Sequence, residues 1–176
     1  MSTLRNNLVT QLYDEFAEMA YEECIQSIGR IAADSGYRIY PQVFVMGVDH
    51  DMAMNESPNL QIALIWTVSL LRQGDHMGAQ APLMMNSVIG GPIKQWLLTL
   101  LALTLGRVEF QDAVKSSETD EQTLQAHYYE GERLVNERSW QDALQRFEIC
   151  AALPGSCPEK GFAKARMEWL RGKAGV

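Results

Sequence analysis

The feature that most constrains what this chain can fold into is a pentapeptide spelled twice. Residues 110–114 read FQDAV and residues 140–144 read WQDAL. Each is an aromatic residue, then Gln-Asp-Ala, then an aliphatic residue. A weaker version, HMGA, ends at Ala79. Ala79, Ala113 and Ala143 recur at nearly even intervals, and at one fixed distance before each stands a glutamine: Gln61, Gln95 and Gln125. Recurrence with a period of roughly 20–50 residues marks units that cannot bury their apolar faces alone and must stack on a neighbour. The plainer alternative is a helical bundle with a coincidental pentapeptide.

The residues between these marks read as helices with short turns. From residue 4 to 33 the apolar positions Leu4, Leu8, Leu12, Phe16, Met19, Cys24, Ile28 and Ile31 recur at steps that place them on one helical face. Gly29 is the candidate break in that stretch, and Asp34-Ser35-Gly36 ends it. Residues 37–48, YRIYPQVFVMGV, permit a strand, but Pro41 cannot donate to a ladder. An extended or irregular connector, or a distorted helix, is expected there. Ser57-Pro58 opens a helix that Gly74-Asp75 closes. A short helix reaches about Met85, and NSVIGGP (86–92) is a loop. The run Ile93–Leu105 is a buried helix, too short at about 13 residues for the ~20 that cross a bilayer. A short helix spans Glu109–Lys115. Thr119 and Gln122 form a capping box at the head of the next helix, which runs to about Glu137. Ser139 caps another that ends at Leu153-Pro154-Gly155, and Pro158 starts the last.

In the third unit Gly131, Ala143, Phe147, Cys150 and Pro154 resemble the small, Ala, aromatic, small and Pro positions of the tetratricopeptide-repeat pattern, with the Pro one position early. A small residue lets two helices approach, a large aromatic fills the space it leaves, and Pro stops the second helix. The segment HYYEGERLVNERSWQDALQRFEICAALPGSCPEKGFAKARMEWL resembles the terminal repeat of bacterial tetratricopeptide-repeat proteins of the lipoprotein type. Tyr128, Tyr129, Gly131, Glu132, Ala143, Phe147, Cys157 and Pro158 match that pattern. Leu124-Gln125-Ala126 stands where the family has Cys-Glu-Ala, Glu-Arg-Ser replaces its Gly-Asp turn, and no lipid-attachment Cys starts the chain. The resemblance implies an all-α, tetratricopeptide-like α-α superhelix. Residues 1–56 would be an N-terminal helical cap with its connector. Residues 57–176 would hold about three hairpins plus a C-terminal helix.

Chemistry is sparse in this sequence. With 22 acidic against 15 basic residues the formal charge is -7, which argues against nucleic-acid or anionic-membrane partners. The amphipathic start has no secretory pattern, so the chain is expected to be cytoplasmic, or periplasmic if a leader preceded it. Three cysteines without a CxxC read as reduced, mostly buried thiols. Cys150 and Cys157 could meet across a helix end in an oxidising compartment. Asp49-His50-Asp51 could touch a metal, but neighbours in sequence diverge on regular backbone and no HxxxH accompanies them. His76, in the aromatic slot of the first unit, reads as structural, and His127 as a packed or surface helix residue. No phosphate-binding loop is present, and no cofactor is assigned.

What remains is a surface. In hairpin repeats the first helices line a concave face. The register puts Gln61, Gln95, Leu98, Gln125, Tyr128, Glu132 and Asn136 there as the residues expected to meet a partner. That partner would be a peptide or helix of another protein, held by a non-enzymatic adaptor or chaperone-like molecule. The alternatives are a homo-oligomer that buries the apolar part of the groove, the chain's own N-terminal stripe filling it, and a small metal-dependent enzyme using the 49–51 loop.

Overall fold

The structure, a computed structural model, describes residues 3–34, 39–40, 43–44, 57–86 and 92–174. In chain order these form α1 (Thr3–Ala17), α2 (Tyr21–Asp34), a two-residue antiparallel ladder of β1 (Ile39–Tyr40) with β2 (Val43–Phe44), and α3 (Ser57–Arg72). A 3-10 turn at Gly78–Gln80 leads into α4 (Ala81–Asn86). Then come α5 (Pro92–Thr104), α6 (Phe110–Lys115), α7 (Asp120–Asn136), α8 (Trp140–Ala152) and α9 (Glu159–Ala174). The architecture among the described residues is therefore helical, as expected, apart from the small ladder. That ladder is the strand the sequence permits, and the other residues of the expected 37–48 connector lie outside the described residues. Pro41 falls between the two strands in sequence, so neither strand has to donate through it.

The helix ends show why the chain turns where it does. Gly74 and Gly106 take left-handed backbone, with φ of 79° and 67°. Gly74 N–H donates to the Leu71 carbonyl, and Asp75 N–H reaches back to Leu70. Gly106 and Arg107 do the same with Leu103 and Ala102. This paired bond is the Schellman stop, which satisfies carbonyls that the helix end would otherwise leave open. The same bonds close α1 at Met19 and α7 at Arg138, both at φ 62°. The long N-terminal stripe is thus two helices parted at Met19, not at Gly29, which lies inside α2. A methionine in left-handed backbone gives no sequence signal for a stop.

These stops also order the chain. Gly74, Gly106 and Arg138 are evenly spaced in sequence and end α3, α5 and α7. Each is followed within a few residues by a second helical segment. Ala79, Ala113 and Ala143, the alanines that set the register, are all fully enclosed. The Gln-Asp pairs before the last two are exposed, and Asp112 and Asp142 sit in the first turns of α6 and α8. There a carboxylate opposes the positive helix end. The repeated pentapeptide therefore has a physical reading: aromatic at the turn, solvent-facing Gln-Asp, buried Ala.

The chain separates into two compact units, Met1–Leu98 and Thr99–Val176, with the boundary within α5. In the first unit α1 packs on α2, α2 on α3, and α3 on the 3-10 turn and α4, while β1 lies against α2 and β2 against α4. Leu12, Phe16, Cys24, Ile28, Leu64, Ile65 and Val68 form its core. The N-terminal stripe is thus built into this unit as a helical pair. In the second unit α6 packs on α7, α7 on α8, α8 on α9, and α9 also on α7. Tyr128, Tyr129, Phe147, Phe162 and Leu170 are its enclosed large side chains.

Local chemistry fixes α7 and α8 most closely. Thr119 Oγ1 accepts from Gln122 N–H at 3.1 Å, and Gln122 Oε1 accepts from Glu118 N–H at 2.6 Å. The expected capping box is there, displaced by one residue on its return bond. Ser139 precedes α8 but its side chain makes no capping bond. The predicted small-against-large contact is present: a Cβ on Gly131 would lie 2.6 Å from Phe147 Cε1. Only glycine lets α7 and α8 approach with Phe147 in place.

Candidate functional site

The polar residues of the second unit fall into two groups. The first lies between α7 and α9. Glu132 Oε1 accepts from Tyr128 Oη at 2.6 Å and from Arg166 Nε at 2.7 Å, and all three side chains are fully enclosed. Two turns earlier on α9, Glu159 is also enclosed, and its Oε1 accepts from Gln125 Nε2 and Tyr129 Oη, each at 3.3 Å. Burial pushes the Glu159 carboxyl above its ordinary range and, with Glu159 nearby, pushes Cys150 up to about 12 and Cys157 higher still. All three cysteines are free thiols, and no group of three His, Cys, Asp or Glu side chains among the described residues could hold a metal.

The second group lines an open cleft of about 420 Å³ formed by Glu109, Phe110, Gln111, Asp112, Glu130 and Arg146. The Arg146 guanidinium lies over the Phe110 ring, 3.9 Å from its centroid, a favourable cation–π stack. Phe110 in turn meets the His127 ring edge-to-face at 4.9 Å. Glu130 is held by two bonds from Arg133, at 2.7 and 2.8 Å. Burial, then the Arg146 charge, pull His127 down to about 4, against the opposing pull of Glu130. The imidazole is neutral at physiological pH, and its Nδ1 has no hydrogen-bond partner among the described residues. A second aromatic pair, Trp140 and Trp169, sits edge-to-face at 6.0 Å, with Lys173 Nζ 4.7 Å above Trp169.

The structure disposes of the expected partner-facing residues unevenly. Gln61 is buried and accepts from the Tyr13 hydroxyl of α1, so the N-terminal helical pair already engages it. Tyr128 and Glu132 are fully enclosed and taken by α9 through Arg166, with Phe162 beside the Tyr128 ring at 6.0 Å. These three differ from the expectation of an open groove. The inner face of α7 meets the chain's own last helix, because the terminal helix must bury its inner side somewhere. Gln125 is half-buried beside Glu159, Asn136 and Leu98 are half-buried, and Gln95 is exposed. Gln125, Tyr128 and Glu132 are brought together along α7. His76, expected to be structural, is instead exposed. Asp49, His50 and Asp51 lie outside the described residues.

Sequence reasoning missed Arg166, Glu159 and Arg146. The signal for the first two was weak but present: both lie on one face of the last helix with Phe162, Ala163 and Leu170, an apolar stripe. Charges set in such a stripe are either an error of register or a buried pair. Comparison with family models, with curated proteins and with solved structures finds no match for this chain. No helix among the described residues is long and apolar enough to cross a membrane.

Proposed function

We propose that this chain is a non-enzymatic interaction protein of the tetratricopeptide-like kind, an adaptor or chaperone-like module that holds a peptide or helix of another protein. One observation carries the reading: α7, α8 and α9 pack as successive helices around the Gly131–Phe147 contact, with the register alanines enclosed. Such packing supports the reading, because hairpin repeats stack successive helices and present extended faces to partners. With Tyr128 and Glu132 committed to the interior, the partner surface shifts outward. In the second unit it comprises the cleft at Phe110 and Arg146 together with the half-buried Gln125 and Asn136. In the first unit Gln95 and Leu98 remain candidates.

The test is affinity capture from the native host's lysate, wild type against Phe110→Ala/Arg146→Ala, with thermal melts of both. A protein retained by wild type and lost from an equally stable variant supports the reading and names the partner. Equal retention moves the contact away from the cleft. Empty lanes combined with a dimer mass in sedimentation would favour the homo-oligomer. Metal analysis of the purified protein addresses the 49–51 loop.

A further inference from the structure

Two buried carboxylates lie between α7 and α9, and they are treated differently. Glu132 receives short bonds, 2.6 and 2.7 Å, one from a guanidinium. These are the lengths of charge-assisted bonds, and Glu132 is held as an anion. Glu159 receives two bonds of 3.3 Å from neutral donors, and its Oε2 has no hydrogen-bond partner among the described residues.

The cations nearby are spent elsewhere. Lys160 Nζ donates to the Leu153 carbonyl at 2.7 Å, and Arg166 serves Glu132. The groups that face Glu159 are Gln125 and Tyr129 from α7, Cys150 from α8, Cys157 from the connector and Lys160 beside it on α9. Glu121 of α7 reaches the same connector, accepting from Ser156 N–H at 3.4 Å. None of them supplies a guanidinium or ammonium to the carboxyl. An ion with no counter-charge in an enclosed site is costly, so such a site keeps the proton on or opens to water.

The two thiols lie at this same corner. Cys150 Sγ is 3.9 Å from the Glu159 carbonyl oxygen, and Cys157 bears on the Glu159 carboxyl. We propose that Glu159 is a proton-operated latch on the corner between α8 and α9. With its proton on, the carboxyl holds the 153–158 connector and the first turn of α9 closed over the buried Cys150, with the half-buried Cys157 at the edge. When the proton leaves to solvent base, the carboxylate draws water in, the corner opens and both thiols become accessible.

The sign follows from linkage. A carboxyl raised in the closed form and ordinary in the open one leaves the latch fully closed below the ordinary carboxyl range. Closure weakens as pH climbs toward the raised value. Within that window one proton is lost per opening, so the open population grows about tenfold per pH unit.

The test uses the full chain. Brief N-ethylmaleimide pulses from about pH 5 to about pH 9 are read for each cysteine by mass spectrometry and divided by the rate of a free cysteine peptide at the same pH. The corrected rates at Cys150 and Cys157 should rise by about tenfold or more. The rate at Cys24, buried in the other unit, should stay level. Glu159→Gln, permanently neutral, should hold both thiols at the low-pH rate. Flat wild-type rates, a rise that Glu159→Gln retains, or a rise shared by Cys24 would each overturn the latch. Hydrogen exchange of residues 153–160 in the wild type, corrected for intrinsic base catalysis, gives the answer without a variant. Protection lost with pH in that segment alone supports the latch, and uniform behaviour across α7–α9 overturns it.

Discussion

Three residues of the second unit carry predictions that single substitutions can check. Gly131 leaves no room for a Cβ, because the Phe147 ring would be 2.6 Å away. Gly131→Ala should therefore destabilise the protein by about 1–3 kcal/mol in urea melts, although alanine is the better helix former by about 1 kcal/mol. Phe147→Leu should return part of that loss in the double variant. Arg166 is the largest of the fully buried side chains and the ion-pair partner of Glu132. Arg166→Ala leaves a carboxylate stranded and should cost about 3–5 kcal/mol, whereas Arg166→Met with Glu132→Leu should cost much less. His127 is lowered from 6.5 to about 4 in the folded chain. A depressed value means that its contribution is complete above pH 6.5 and is lost as pH falls through about 4. For a half-buried ring, screening cuts this to about 1–2 kcal/mol. Urea melts of His127→Phe should show a flatter acid limb than the wild type.

At the scale of elements, what was legible was what obeys periodicity and local turn chemistry. The helices from Ser57 onward, the stops at Gly74 and Gly106 and the Gly131–Phe147 contact could be read because glycine, proline and aromatic residues announce them. The stop at Met19 could not, and at α7 the end near Glu137 was legible but the left-handed backbone of Arg138 was not, since any residue can be forced left-handed when a Schellman bond pair outweighs its steric cost. The partner surface departs from expectation for a related reason. Periodicity places Tyr128 and Glu132 on the correct face of α7, but it does not say whether a partner or the chain's own α9 covers that face. The cleft at Phe110 and Arg146 was illegible because it joins residues of three helices that no spacing rule connects. The left-handed stops give their own test. Arg138→Gly removes the Cβ penalty at φ 62° and should raise stability by about 0.5–1 kcal/mol, visible as a higher melting temperature. Gly106→Ala should lower it.

For the whole molecule, each stop at Gly74, Gly106 and Arg138 joins a pair of helical segments along the chain, and α9 exposes Lys164, Glu168 and Arg171. If the pairs are semi-independent, effects at stops in different compact units should sum. Gly74→Ala combined with Arg138→Gly should match the added single effects within about 0.5 kcal/mol in denaturant melts. The even interval between those stops has a practical meaning too. A chain whose joints at Gly74, Gly106 and Arg138 fall at a constant pitch carries its own cutting pattern. A splice made at two of these joints would meet a left-handed residue at each end, so the cut itself would call for no new turn.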